Sequence, residues 1–190
     1  MKKVFLLITI LFISVLSTAC INNFAVQELN NKAKQFMDKG DYASAIERLK
    51  SSIDLDGTLY ETRYNLAVAY TKAEDYENAV EAYNEVIKLN PDFADAYYSR
   101  AVCEENLAKD IIAGEYIVNE DTSIEKAEVS NDDSEDVSQE KTELSEFAKD
   151  KITGLLKDAI EDYGVYSDKS NENVDEKINE LQELSEKYAI

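Results

Sequence analysis

The sequence predicts an all-α fold: stacked antiparallel helix pairs, a C-terminal capping helix, and an acidic disordered insertion. Three observations predict it. A 34-residue offset superimposes small residues on small and large apolar residues on large apolar between positions 33 and 101. Apolar side chains recur at helical spacing, not in strict alternation. The 190 residues include one proline and five glycines, too few for a turn-rich β fold. A chain of this length can bury one core.

The N-terminus reads as an address. Lys2 and Lys3 are followed by a nearly unbroken apolar run over residues 4–16, then by Ser17, Thr18 and Ala19 directly before Cys20. The run is too short to span a bilayer comfortably and has the layout of an export signal. Leu16-Ser17-Thr18-Ala19-Cys20 resembles the lipobox of bacterial lipoproteins, with Ser17 where that family usually has Leu. The resemblance implies a signal peptide over 1–19, a diacylglycerol on Cys20 and a lipidated tether over 20–25. The chain is thereby expected at the extracytoplasmic face of a bacterial membrane, held by that lipid. Ordinary secretory cleavage and an uncleaved anchor are the competing readings. Lipidation of Cys20 leaves Cys103 as the one free thiol, so no intramolecular disulfide can form. Cys103 sits in an Ala-Val-Cys helical run and reads as a small buried thiol, since Glu104 and Glu105 are the wrong neighbours for a reactive one.

The repeat occupies the middle. The offset carries Ala33 onto Ala67 and Ala101, Phe36 onto Tyr70, Ala45 onto Ala79, Leu49 onto Tyr83 and Gly57 onto Pro91. Each unit reads as two helices. In the second, Leu66, Ala67 and Tyr70 share a face; Ala79, Tyr83, Val86 and Ile87 share another beyond the Glu74-Asp75 turn. Pro91 stops the second helix, because proline cannot extend one and biases Asn90 away from helical angles. Gly40-Asp41 turns the first unit, with Asp41 as N-cap.

These residues resemble the tetratricopeptide repeat (TPR) family. Its pattern appears as Leu66-Ala67-x-x-Tyr70, Ala79-x-x-x-Tyr83 and Pro91, and in the first unit as Ala33-x-x-Phe36 and Ala45-x-x-x-Leu49, with Lys32 and Gly57 in place of the usual Leu and Pro. The resemblance implies a short right-handed solenoid over 26–118 whose third unit begins at Ala96. That unit's second helix has two candidates. One is 109–118, where Ala113 and Ile117 keep the offset. The better match is 150–165, where Asp158-Ala159-Ile160-Glu161-Asp162-Tyr163 parallels Asn78-Ala79-Val80-Glu81-Ala82-Tyr83. It makes 101–118 an extended first helix, gives the second an apolar stripe of Leu144, Phe147, Ile152, Leu155 and Ala159, and inserts 119–138 between them.

Residues 119–138 are dense in Asp, Glu and Ser, and are expected to be disordered for want of apolar surface. Asp132, Ser134, Asp136 and Glu143 fall at calcium-loop spacings, but Val137 stands at the turn that needs glycine, so a solvated charge run is the reading preferred. Residues 139–190 hold the second helix and a cap on which Val174, Ile178, Leu181, Leu184 and Tyr188 share one side.

Composition narrows the function. Forty acids against twenty bases, a net charge of −20, disfavour both nucleic acid and an anionic lipid surface, whose phosphates need clustered cations. Absence of histidine removes the usual general base and zinc ligand, so no catalytic residue, metal or cofactor is expected. TPR-type stacking implies a concave face lined by Asn30, Lys34, Glu61, Tyr64, Asn65, Val68, Tyr98 and Val102. Tyr hydroxyls, amides and two Val suit an extended peptide or a helix better than a small metabolite. A subset of the family clamps a C-terminal carboxylate with Lys, Asn and Arg. Only Asn65 matches that set here, and Asp95 would repel an acidic tail. The function expected is a membrane-anchored, non-catalytic adaptor for a protein or peptide partner. The alternative is a structural lipoprotein of an envelope complex, working through its convex face or acidic loop.

Overall fold

The computed structural model describes residues 23–120, 123–127 and 144–189. Cys20 and the calcium-loop acids lie outside the described residues, as does most of the expected insertion. The chain divides into two compact units, Met1–Pro91 and Asp92–Ile190.

Among its described residues the first unit contains four helices: α1 (23–37), α2 (Tyr42–Leu55), α3 (Tyr60–Lys72) and α4 (Tyr76–Leu89). Residues 23–25, expected in the tether, are already helical. The repeat offset reappears as identical joints. α1 ends with Asp41 N–H donating to the Phe36 carbonyl (2.9 Å) and Gly40 N–H to that of Met37 (3.0 Å), Gly40 being left-handed at φ 75°. The paired 6→1 and 5→2 bonds satisfy carbonyls that the helix leaves open. α3 ends the same way, through Asp75 to Tyr70 and Glu74 to Thr71. Asp41 and Asp75 then cap α2 and α4, accepting from Ser44 N–H at 3.1 Å and Asn78 N–H at 3.4 Å. Ala45, Ala67 and Ala79 have no exposure, which lets α3 lie close against α2 and α4, while Leu49 and Tyr83 fill the space beside them.

The second unit is built on α5 (Ala94–Ala113) and α6 (Glu146–Ser170), which pack along their lengths, with α7 (Asp175–Tyr188) against α6. Its core is Ala101, Cys103, Leu107 and Ile111 from α5, Ile152, Leu156, Ala159 and Tyr163 from α6, and Leu181 from α7. The second helix of the third pair is therefore α6, which contains the Asp158–Tyr163 match. Of the expected stripe, Ile152 and Ala159 are fully buried but Phe147 is 41% exposed, because the helix begins only at Glu146.

Two expectations are corrected. The first helix stops at Ala113, not at 118, because Gly114 turns left-handed (φ 82°) and Glu115 N–H closes onto the Asp110 carbonyl. Residues 119–138 are not uniformly without structure: β1 (Tyr116–Val118) pairs antiparallel with β2 (Ile124–Lys126), Val118 opposite Ile124. Val118 is buried and β1 touches both α5 and α6, which anchors the hairpin. No helix among the described residues is long and apolar enough to cross a membrane.

Candidate interaction surface

In the first unit α1 and α3 place the expected surface residues differently. Lys34 is exposed on α1. Asn30 is not: its amide Nδ2 donates to the Val26 carbonyl (3.0 Å), Ser52 Oγ (3.0 Å) and Thr62 Oγ1 (3.1 Å), tying α1 to α2 and α3. Ser52 and Thr62 are almost fully buried, so Asn30 answers hydroxyls that would otherwise be costly. It therefore belongs to helix packing. On α3, Glu61 and Asn65 are exposed, while Tyr64 and Val68 are half-buried. Tyr64 sits edge-on to Tyr83, ring centres 5.8 Å apart, which fixes its ring from behind.

In the second unit α5 carries Tyr98 and Val102. Tyr98 is 42% exposed, yet its ring rests on two α6 tyrosines: Tyr163 (5.4 Å, edge-on) and Tyr166 (4.9 Å). Arg100 and Lys169 both approach the Tyr97 ring, at 5.9 and 5.8 Å. The result is an exposed tyrosine surface held in place by buried neighbours.

Beneath it lies a charge network that the sequence did not reveal. The Arg100 guanidinium donates twice to Asp162, Nε to Oδ2 and Nη2 to Oδ1, both at 2.6 Å. Glu104 Oε1 lies 3.9 Å from Arg100 Nε, while Glu104 Oε2 is buried without a partner among the described residues. Burial first, then the neighbouring Asp162 charge, pushes the Glu104 carboxyl up to about 8 against the pull of Arg100. Its neighbour goes the other way. Burial opposes ionisation of Glu105, but hydrogen bonds from Lys109 (2.5 Å) and Lys177 (2.7 Å) outweigh it and hold the carboxylate below its ordinary range. Tyr163 Oη also donates to Glu105, at 3.1 Å. Lys177 of α7 covers Glu105 from above. The only available signal was a polar pair, Glu104-Glu105, set directly beside a run of small helix-packing residues. Among the described residues no group of three potential ligands is arranged to hold a metal.

Comparison with known proteins fits this geometry. The tetratricopeptide repeat family model matches residues 60–93, which span α3 and α4. This chain carries a tetratricopeptide repeat. The chain is 30% identical over 104 residues to the tetratricopeptide repeat and J domain-containing co-chaperone DNJ1 of Cryptococcus neoformans var. grubii. That alignment covers 52% of this chain and 20% of the relative, so the chain spans about a fifth of that protein's length. Among solved structures, the first TPR of Spaghetti (RPAP3) bound to HSP90 peptide SRMEEVD superimposes with a TM-score of 0.55 at 19% identity, over 88% of this chain and 95% of that one. The second TPR domain of human RPAP3, in complex with HSP70 peptide SGPTIEEVD, gives 0.56 at 16% identity, over 85% and 98%. At such identities the likeness is one of fold: the helix pairs of this chain are arranged like those of TPR domains.

Proposed function

We propose that this chain is a non-catalytic TPR adaptor that captures a protein or peptide partner, anchored by a lipid on Cys20 at the extracytoplasmic face of a bacterial membrane. The observation that carries the binding role is Tyr98, open to solvent while its ring is braced by Tyr163 and Tyr166. A braced aromatic loses little freedom on contact and offers both an apolar face and a hydroxyl. Tyr64, Lys34, Asn65 and Val68 supply comparable groups in the first unit. Fold neighbours that are bound to peptides support the reading. Those peptides end in acidic EEVD sequences. Here Asn65 is the one residue that matches a carboxylate clamp, Asn30 is engaged by Ser52 and Thr62, and Asp95 is an exposed acid, so a different partner, of basic or neutral character, fits better.

Crosslinking in intact bacterial cells tests both halves. Tyr98→Ala and Lys34→Glu are expected to cut partner crosslinking by about tenfold, the scale of a lost aromatic anchor. Undiminished crosslinking by both variants would move the site elsewhere. In the same cells Cys20→Ser should shift the chain from membrane to soluble fractions; retention in the membrane would contradict the lipid anchor.

A further inference from the structure

One side of α1 is built unlike its counterpart a repeat later. At the 34-residue offset Lys32, Gln35 and Phe36 stand where α3 has Leu66, Ala69 and Tyr70. The three α3 residues are buried, whereas Lys32 and Gln35 are exposed and Phe36 is half-buried. With Lys39 at the end of α1 and Arg48 from α2, they line a recess of about 390 Å³. Positions 24, 28, 32 and 35 share one side of the helix, which puts Phe24, 69% exposed, on the same face.

An array end needs a polar surface, but it does not need cations. This chain has twice as many acids as bases, yet the recess lining holds Lys32, Lys39 and Arg48 and no carboxylate. Four exposed acids stand near it in sequence, Glu28, Asp38, Asp41 and Glu47, none of them lining the recess. Glu28 pairs with Lys32 at 2.7 Å, both about half exposed, and such a pair is weak in water. Asp41, the α2 cap, feels Lys39. Among the described residues no carboxylate comes within ion-pairing distance of Lys39 or Arg48. Charge is also shared unevenly: residues 23–91 carry −4 and residues 92–190 carry −18.

We propose that this cationic face of α1 lies on the phosphate headgroups of an anionic bilayer and so orients the anchored first unit. The inference rests on the anchor reading above: two residues, Ile21 and Asn22, separate Cys20 from Asn23, and three chain steps span at most about 11 Å, so a lipid there holds the start of α1 at headgroup level. Arg48 and the two lysines match phosphate oxygens, and Phe24 and Phe36 supply apolar edges suited to the interface. The attraction of each cation to such a surface falls off within a Debye length.

The test uses the full chain reconstituted into phosphatidylcholine vesicles and into vesicles containing about 30% phosphatidylglycerol. Lysine acylation is followed by mass spectrometry, with exposed Lys187 as internal reference. Lys32 and Lys39 should react at least about threefold more slowly on the anionic vesicles, Lys187 should not change, and about 0.5 M salt should remove the difference. Arg48→Glu, a surface change that leaves both reporter lysines in place, should weaken the protection. Equal rates on both vesicles would overturn the proposal. Equal protection by inorganic phosphate over neutral vesicles would overturn the headgroup source in favour of a free-anion site. Flotation of the same samples separates this from the anchor. A chain that floats with both vesicles without protection sinks the docking face alone. Flotation with anionic vesicles only, with protection, supports the face and sinks the anchor; flotation with neither sinks both.

Discussion

Glu74 occupies a backbone conformation that the preceding repeat assigns to glycine. Its φ is 59°, Gly40 has 75°, and the two positions are one repeat apart with the same pair of closing hydrogen bonds. A left-handed residue with a Cβ costs roughly 1 kcal/mol that glycine does not. Glu74 is exposed at the turn, so removing its side chain takes away no packing. Glu74→Gly is therefore expected to stabilise the first unit by about 0.5–1 kcal/mol, read as a raised denaturant midpoint with an unchanged slope. Gly40→Ala should do the opposite by about 1 kcal/mol, since Cβ would meet no atom there but would still strain the backbone. If both substitutions are neutral, the strain assigned to this turn is absent.

At the scale of elements, the α5–α6 pairing is the part least legible in the sequence. The 34-residue offset lays out α2, α3 and α4 because Ala67 and Ala79 repeat Ala33 and Ala45 where helix axes approach closely. The same comparison finds α6 only by allowing an insertion before Ala159. It cannot find the hairpin, because Tyr116–Val118 is three residues long and its partner strand lies in an acidic stretch. Nor does it find the burial of Glu104: an acid on a helix reads as a solvated face until Arg100 and Asp162, 62 residues apart in sequence, meet beside it. That burial has a pH consequence. The folded Glu104 carboxyl titrates near 8, above its ordinary value of 4.5, so the fold favours the neutral form. Its contribution to stability is complete below about 4.5 and is lost as pH rises through 8, at about 1.4 kcal/mol per pH unit between the two as an upper bound. Glu105 is shifted the other way and loses stability only below its ordinary range, outside this window. Between pH 5 and 8.5 the denaturant midpoint of α5 and α6 should therefore fall more steeply in the wild type than in Glu104→Gln, which is neutral at position 104 throughout and keeps only the smaller contribution of the Asp162 carboxyl, also raised by burial. Parallel pH profiles would show that Glu104 ionises normally in the fold.

Over the whole molecule, the net charge of −20 is a property of its parts. Residues 92–190 carry −18 and residues 23–91 carry −4, so self-repulsion falls mainly on the second unit. Within that unit four of the cations are committed to particular carboxylates. Arg100 holds Asp162, Lys109 and Lys177 hold Glu105, and Lys169 reaches Asp92 at 3.1 Å. Exposed acids along α7, such as Glu176, Glu183 and Glu186, are left to the solvent. Mobile ions then do part of the work that fixed cations would do. At low ionic strength the Debye length is about 30 Å, long enough for these carboxylates to repel one another across a helix pair; at physiological salt it is about 8 Å. Hydrogen exchange of the full chain should show this directly. On raising salt from about 10 mM to about 150 mM, amides of α5 and α6 should gain protection while those of α2, α3 and α4 change little. The buried Arg100–Asp162 and Lys177–Glu105 contacts are screened far less than surface charges, so the gain should come from relieved repulsion and not be cancelled by weakened internal pairs. Loss of protection in α5 and α6 with salt would reverse the argument and make those internal pairs the dominant electrostatic contribution.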